Sequence, residues 1–375
     1  MDDVSVKRGL DGVVTDTSSI SKVMVEKNAL LYYGYPVQDL AENCSFEEVA
    51  YLLLNRELPD TQELNDFKEK EREQRPISSK LSSLIELFDP KAHPMDTLRT
   101  AVSFLATEDS ELLMNDPVSN YQKSIRLLAQ IPTIIASFYR HSKGQKIISP
   151  QNDLTMGENF FHMCFEKVPP PEMIKAFDVS LTLYAEHTFN ASTFTARVII
   201  SSLSDVYSAV SGAIGSLRGP LHGGANEAVM KTMLEIADPS KAQGWIHQAL
   251  GESRKIMGFG HRVYRNGDSR VPTMKKYMLK LSEVTGEKRW PAIYEILADT
   301  MLSSKGIYPN LDFPTGPAYY MMGFEIPLFT PIFVISRITG WMAHIMEQLD
   351  NNRLIRPLSE YVGPKERLVK LIGDR

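Results

Sequence analysis

The stretch Ile326-Pro327-Leu328-Phe329-Thr330-Pro331-Ile332-Phe333-Val334-Ile335-Ser336-Arg337-Ile338-Thr339-Gly340-Trp341-Met342-Ala343-His344-Ile345-Met346 decides between a membrane span and a buried helix. It is long and apolar enough for either. Pro327 and Pro331 punctuate its start, and Arg337 and His344 lie within it. An arginine at the centre of a bilayer costs about 2.5–3.5 kcal/mol on insertion scales. The better reading is a buried helix that presents Arg337 to an internal site, because a hidden arginine needs an anionic partner.

Outward from that stretch, helical periodicity continues. Phe46, Val49, Ala50, Leu53 and Leu54 fall on one face behind a capping box of Ser45 and Glu48, and Pro59 breaks the run. Pro291 opens a helix through Ile293, Ile296, Leu297, Met301 and Leu302 that Gly306 ends. Pro169-Pro170-Pro171 reads as a rigid connector before a helix running to His187. The charge run from Glu63 to Arg75 reads as a solvated helix face. Strand patterns are confined to a short hairpin near Gly9 to Ser21. The class expected is all-α, with many helices rather than a simple bundle.

Composition excludes some functions. The 375 residues suffice for two domains and a large core. A net charge of −5 offers no electrostatic footprint for nucleic acid or an anionic membrane. Two cysteines, Cys44 and Cys164, cannot supply a disulfide framework and fit a reducing cytosol. The first residues lack the apolar run of a secretory segment, so a cytoplasmic protein without signal peptide or anchor is expected.

Chemistry concentrates on three glycine-rich segments. Gly219-Pro220-Leu221-His222-Gly223-Gly224-Ala225-Asn226-Glu227 sets a histidine between a proline turn and two glycines. Met257-Gly258-Phe259-Gly260-His261-Arg262-Val263-Tyr264-Arg265 is followed by Arg270, and Tyr308-Pro309-Asn310-Leu311-Asp312-Phe313-Pro314-Thr315-Gly316 carries an aspartate. Two histidines and a carboxylate on such loops are an inventory for proton abstraction beside a carbonyl. His93, His141, His162, His247 and His344 lack that company and read as surface or structurally satisfied residues. Gly258-Phe259-Gly260 lacks the third glycine of a dinucleotide fingerprint. The chain has neither a His-Glu-x-x-His metal motif nor a Gly-x-Ser-x-Gly elbow. A helical scaffold without catalysis would leave the clustering of glycine, histidine and arginine unexplained.

These segments, with Ala185-Glu186-His187-Thr188-Phe189-Asn190-Ala191-Ser192, Ser336-Arg337-Ile338-Thr339-Gly340-Trp341 and Leu354-Ile355-Arg356-Pro357, resemble the citrate synthase family in order and approximate spacing. The similarity runs from about Lys7 to about Arg367 and is greatest to the 2-methylcitrate synthase branch. The resemblance implies a multi-helical citrate synthase-like fold. Its large domain would comprise 1–222 and 317–375, and a small domain, 223–316, would close over the cleft. It implies condensation of propionyl-CoA with oxaloacetate and water to 2-methylcitrate and coenzyme A, with citrate synthase activity on acetyl-CoA as the alternative.

By the same resemblance His222, His261 and Asp312 are catalytic. Asp312 would be the base at the α-carbon, His222 the donor to the thioester oxygen and His261 the group polarising the keto carbonyl. His187, Arg270, Arg337 and Arg356 would hold oxaloacetate, Arg356 reaching the neighbouring subunit's site in a homodimer. Guanidinium groups match carboxylates bidentately. Arg72 is a weaker candidate for an anion contact. Lys255, Ile256, Met257, Gly258 and Phe259 resemble the loop for the adenine end of coenzyme A, with Arg265 a candidate phosphate partner. No metal or redox cofactor is expected, since coenzyme A enters as part of the substrate. Phe313-Pro314-Thr315-Gly316-Pro317 resembles the methylcitrate branch and is expected to leave room for one extra methyl.

Overall fold

In the computed structural model, which describes residues 6–264 and 266–375, the chain folds as packed α-helices with one small sheet. The helix Phe329–Asp350 forms the axis of the larger group of helices. It packs against Phe46–Asn55, Pro117–Ser142, Pro171–Tyr184, Ala191–Ser201 and Val206–Leu217. Its apolar stretch is 89% buried inside the fold, which is why helices rather than lipid receive its side chains. Arg337 is 1% exposed within it.

Local signals explain several boundaries. Ser45 and Glu48 make the expected capping box, but the helix Phe46–Asn55 ends four residues before Pro59 because Arg56 adopts a left-handed cap. Gly306, also left-handed, terminates Arg289–Lys305. The helix opened by the proline run stops at Tyr184 rather than His187, which leaves residues 185–190 as a loop able to turn His187 inward. A cluster of Phe160, Phe161, Phe165, Phe177 and Phe324, with ring centroids 4.8–6.0 Å apart, locks the helices Met156–Phe165 and Pro171–Tyr184 together.

Two expectations need correction. The hairpin lies not at Gly9 to Ser21 but in an antiparallel sheet of Ser21–Met24, Ala29–Tyr32 and Tyr35–Pro36. Asn28 supplies the left-handed turn, while residues 12–18 run irregularly. The charge run is not wholly solvated, since Glu71 and Arg75 form a buried bidentate pair whose guanidinium also donates to the carbonyls of Gln151 and Leu154. The helix Asp312–Met321 spans the expected boundary at 316/317. The helices Ala225–Ile236, Pro239–Gly251, Val271–Thr285 and Arg289–Lys305 pack on one another and on that element, and Val271–Thr285 also packs on Pro171–Tyr184.

Candidate active site

A cleft of about 1640 Å³ is lined by His187, His222, His261, Arg270, Asp312 and Arg337. Two of the three glycine-rich segments are fastened together. Gly260 N–H donates to the Tyr308 carbonyl, Asn310 N–H to the Gly258 carbonyl, and the Asn310 side chain to the Gly260 carbonyl. Gly258 takes φ +86°, and a Cβ there would collide with Val229 and Phe313. These bonds bring the His261 turn beside the start of the helix Asp312–Met321.

His222 sits between the helices Val206–Leu217 and Ala225–Ile236. Its turn closes through Gly223 N–H to the Leu217 carbonyl, and a Cβ on Gly223 would lie 2.5 Å from that oxygen. The Ser192 N–H, free at the first turn of Ala191–Ser201, donates to His222 Nε2 at 3.2 Å. That nitrogen is therefore an acceptor, and in the neutral ring the proton resides on Nδ1. Burial, reinforced by Arg337, lowers the His222 pKa to about 4, so the ring is neutral at pH 7.

His261 is arranged the other way round. Its Nδ1 accepts from the N–H groups of Val263 and Tyr264 at 3.0 and 3.3 Å, so Nε2 carries the proton. Burial and then Arg270 lower its pKa to about 4. Two neutral imidazoles thus each keep one N–H not used by the backbone.

Asp312 is raised to about 6 by burial, against the opposing hydrogen bond from Tyr184. It remains largely ionised at pH 7, with the raised proton affinity suited to a base. Arg270 is clamped by Asp268 through two bonds of 2.9 and 2.7 Å. Despite burial, that clamp holds the Asp268 carboxyl below its usual range. Arg337 donates Nε–H to the Tyr184 carbonyl at 2.7 Å, and burial pulls its pKa down to about 10 without discharging it. Among the described residues its Nη1 is buried without a partner, as is His187 Nε2. His187 is also held well below its usual pKa by burial, then by Arg270 and His261. A buried cation with an unspent donor favours an incoming carboxylate.

Other expected residues fall elsewhere. Lys255, Ile256, Met257, Gly258 and Phe259 line the same cleft. Arg265 lies outside the described residues. Arg72 is not among the cleft-lining residues. It is half-buried on the helix Thr61–Gln74, with its Nε unpartnered among the described residues. Arg356 is exposed on the irregular C-terminal segment and does not line its own chain's cleft. Phe313 to Pro317 do not line it either: all five are buried in their helix, Phe313 between Phe259 and Tyr294 at 4.4 and 4.7 Å. Around Asp312 the lining side chains are instead Tyr184, Leu311 and Phe333. Among the described residues no group of three or more His, Cys, Asp or Glu is placed to share a metal ion.

Several contributors were not singled out from sequence. Asp268 could have been found from its spacing to Arg270, but Tyr184 and Phe333 carry no signal beyond apolar helix positions. The segment Gly9–Asp16 forms another wall, tied to the His261 turn where Arg262 donates to the Gly9 carbonyl and pairs with Asp11. His344, taken as structural, is fully buried and bonds Glu186 at 2.9 Å and Arg197 at 3.2 Å.

Comparison with known proteins adds independent findings. The family model for the citrate synthase C-terminal domain matches residues 9–358. A 2-methylcitrate synthase of Mycobacterium tuberculosis is 54% identical over 364 residues, spanning 97% of this chain and 92% of that protein. A citrate synthase of Mycolicibacterium smegmatis is also 54% identical, over 362 residues and 96% of each chain. Among solved structures, citrate synthase from Thermoplasma acidophilum in ternary complex with carboxymethyl coenzyme A and oxaloacetate superposes with a TM-score of 0.93. The identity is 33%, covering 99% of this chain and 100% of that one.

Proposed function

This chain belongs to the citrate synthase family, and from that membership we propose that its cleft condenses propionyl-CoA with oxaloacetate and water, giving 2-methylcitrate and coenzyme A. It is an acyltransferase. The observation that carries the site assignment is the pairing of one carboxylate of raised proton affinity with two neutral histidines of opposite, fixed tautomer in one cleft.

The Asp312 carboxylate removes a proton from the acyl α-carbon, and the electron pair moves to the thioester oxygen. His222 Nδ1–H donates a hydrogen bond to that oxygen. The α-carbon then attacks the keto carbon of oxaloacetate, whose oxygen accepts the proton of His261 Nε2. Water attacks the resulting thioester and returns a proton to His261, the C–S bond breaks, and coenzyme A leaves with sulfur taking the proton that Asp312 had removed. Arg270, Arg337 and His187 engage the carboxylates of oxaloacetate, while Lys255 to Phe259 face the coenzyme A arm. This sequence calls on no metal or redox cofactor, because the thioester brings coenzyme A with it.

Acetyl-CoA is the second acyl donor, a reading favoured by the equal identity to a named citrate synthase. Tyr184, Leu311 and Phe333 bound the acyl end, and one methyl in an apolar pocket is worth about 10–200-fold. Thiol release measured with the two acyl-CoAs at equal concentration tests this: kcat/KM is expected to be higher for propionyl-CoA, with both turned over. A tenfold preference for acetyl-CoA would reverse the order of substrates and leave the condensation standing.

A homodimer completes the site. Arg356 lies outside its own cleft, and the segment it belongs to exposes Leu354, Leu358, Tyr361, Val362, Leu368 and Val369, apolar surface suited to a second copy. The charge balance and two free cysteines support a cytoplasmic setting.

A further inference from the structure

Trp341 lies one turn beyond Arg337 in the helix Phe329–Asp350, fully buried. Its indole Nε1–H donates to Ser192 Oγ at 3.1 Å. That oxygen lies 2.8 Å from His222 Nε2, the nitrogen that the Ser192 N–H also addresses. The cleft chemistry described above uses neither the indole nor the hydroxyl.

We propose that Trp341 is a positioning residue that, through the Ser192 hydroxyl, reinforces the His222 tautomer selected by the Ser192 N–H. The inference rests on the reading of His222 as donor to the thioester oxygen. A neutral imidazole has two tautomers, and only the one protonated on Nδ1 offers that donor while its Nε2 accepts from Ser192. A serine hydroxyl beside Nε2 is ambivalent: as an acceptor it would stabilise Nε2–H, the unproductive form, and as a donor it stabilises the productive one.

Indole N–H is a donor only, so it can engage nothing on Ser192 but an oxygen lone pair. Its donation keeps the hydroxyl proton out of that direction and, by polarising the oxygen, strengthens O–H as a donor. The other acceptor within reach of the hydroxyl proton is Asn190 Oδ1 at 2.8 Å, which also receives the Thr193 N–H at 3.2 Å. An Nε2–H on His222 would have to face the Ser192 N–H and compete with the indole for the lone pairs of the same hydroxyl oxygen. Trp341 thereby works against the wrong tautomer from behind, without touching substrate.

The test uses full-length enzyme labelled with ¹⁵N-histidine, in which protonated and unprotonated ring nitrogens resonate far apart. Trp341→Phe keeps an aromatic ring and removes the N–H. It is expected to move part of the His222 population from Nδ1–H to Nε2–H and to lower kcat about two- to tenfold, the scale of one neutral hydrogen bond, with KM for oxaloacetate unchanged. Ser192→Ala should act in the same direction, and adding Trp341→Phe to it should cost nothing further. A wild-type tautomer and kcat in Trp341→Phe, or losses that simply add in the double variant, would overturn the proposal. If Trp341→Phe does not fold, Ser192→Ala decides: an unchanged tautomer removes the hydroxyl route and Trp341 with it. The donor reading fails separately, if His222→Ala keeps wild-type turnover.

Discussion

The Tyr184 hydroxyl donates to Asp312 Oδ1 at 2.6 Å, and this bond opposes the burial that makes Asp312 a stronger base. Burial raises the carboxyl pKa to about 6, and Tyr184 moderates the rise by stabilising the charged form. The tyrosine itself is pushed well above its usual pKa, by burial first and then by the Asp312 charge, so it stays a donor across the working range.

Tyr184→Phe should therefore raise the Asp312 pKa further. A hydrogen bond to a charged group is worth about 1.5–3 kcal/mol, which corresponds to about one to two pH units. If Asp312 is the base, the acid limb of the wild-type kcat/KM profile lies near pH 6 and should move upward by that amount in the variant, with activity at pH 7 falling accordingly. A limb that stays in place would show that Tyr184 does not tune the base.

Asp312→Asn should abolish α-proton exchange, a loss of about 10²–10⁴-fold for a general base, and at the same time stabilise the fold at neutral pH. The folded-state pKa lies above the usual 3.8, so the folded chain holds this proton more tightly than the unfolded one. Its stabilising contribution is fully present below about pH 4 and is lost as pH rises through 6. A neutral amide avoids that loss, about 3 kcal/mol at pH 7. Thermal melts should show a higher Tm for the variant at pH 7.5 and a vanishing difference by about pH 4. A Tm at or below wild type at pH 7.5 would contradict the burial argument.

Gly340 has a steric reason to be glycine. A Cβ there would press into the Ala185 carbonyl oxygen and Glu186 Oε2. Glu186 is held by Ser21 and His344 at 2.9 Å each, so it has little freedom to retreat. Gly340→Ala should cost about 1–3 kcal/mol, as overpacking does. It should also raise KM for oxaloacetate, because His187 follows Glu186 in the same loop. Unchanged Tm and KM would mean that the loop yields freely.

What was legible in sequence follows the range of the forces involved. Capping at Ser45, the glycine stop at Gly306 and the buried helix around Arg337 depend on neighbouring residues and could be read directly. The hairpin was misplaced because Val13 and Val14 have strand propensity but no strand partner, whereas Ser21 and Tyr32 pair. Tyr184 could not be tied to Asp312, since the pair is separated by 128 residues and made only by packing. Phe313, with the four residues after it, was expected from resemblance to the methylcitrate branch to leave room at the acyl end. The helical turn instead points it inward against Phe259 and Tyr294. Neighbours in sequence and neighbours of the substrate are different sets at a helix N-terminus.

Arg356 provides the test of assembly. It is exposed on the C-terminal segment, while Arg270 and Arg337 are buried within their own chain's cleft. If Arg356 serves the other subunit's oxaloacetate, each cleft draws Asp312 from one chain and Arg356 from the other. Arg356→Ala and Asp312→Asn homodimers should both be nearly inactive. In a hybrid, the chain carrying Arg356→Ala keeps its Asp312 and receives Arg356 from its Asp312→Asn partner, so one of the two clefts is whole. Refolding equal amounts together gives about half hybrids by random pairing, and activity should return to about one quarter of wild type. Separate tags on the two chains and mass measurement establish that hybrids have formed. Hybrids without activity would place Arg356 in the cleft of its own chain or outside the reaction, and the proposed sharing of sites between subunits would fall.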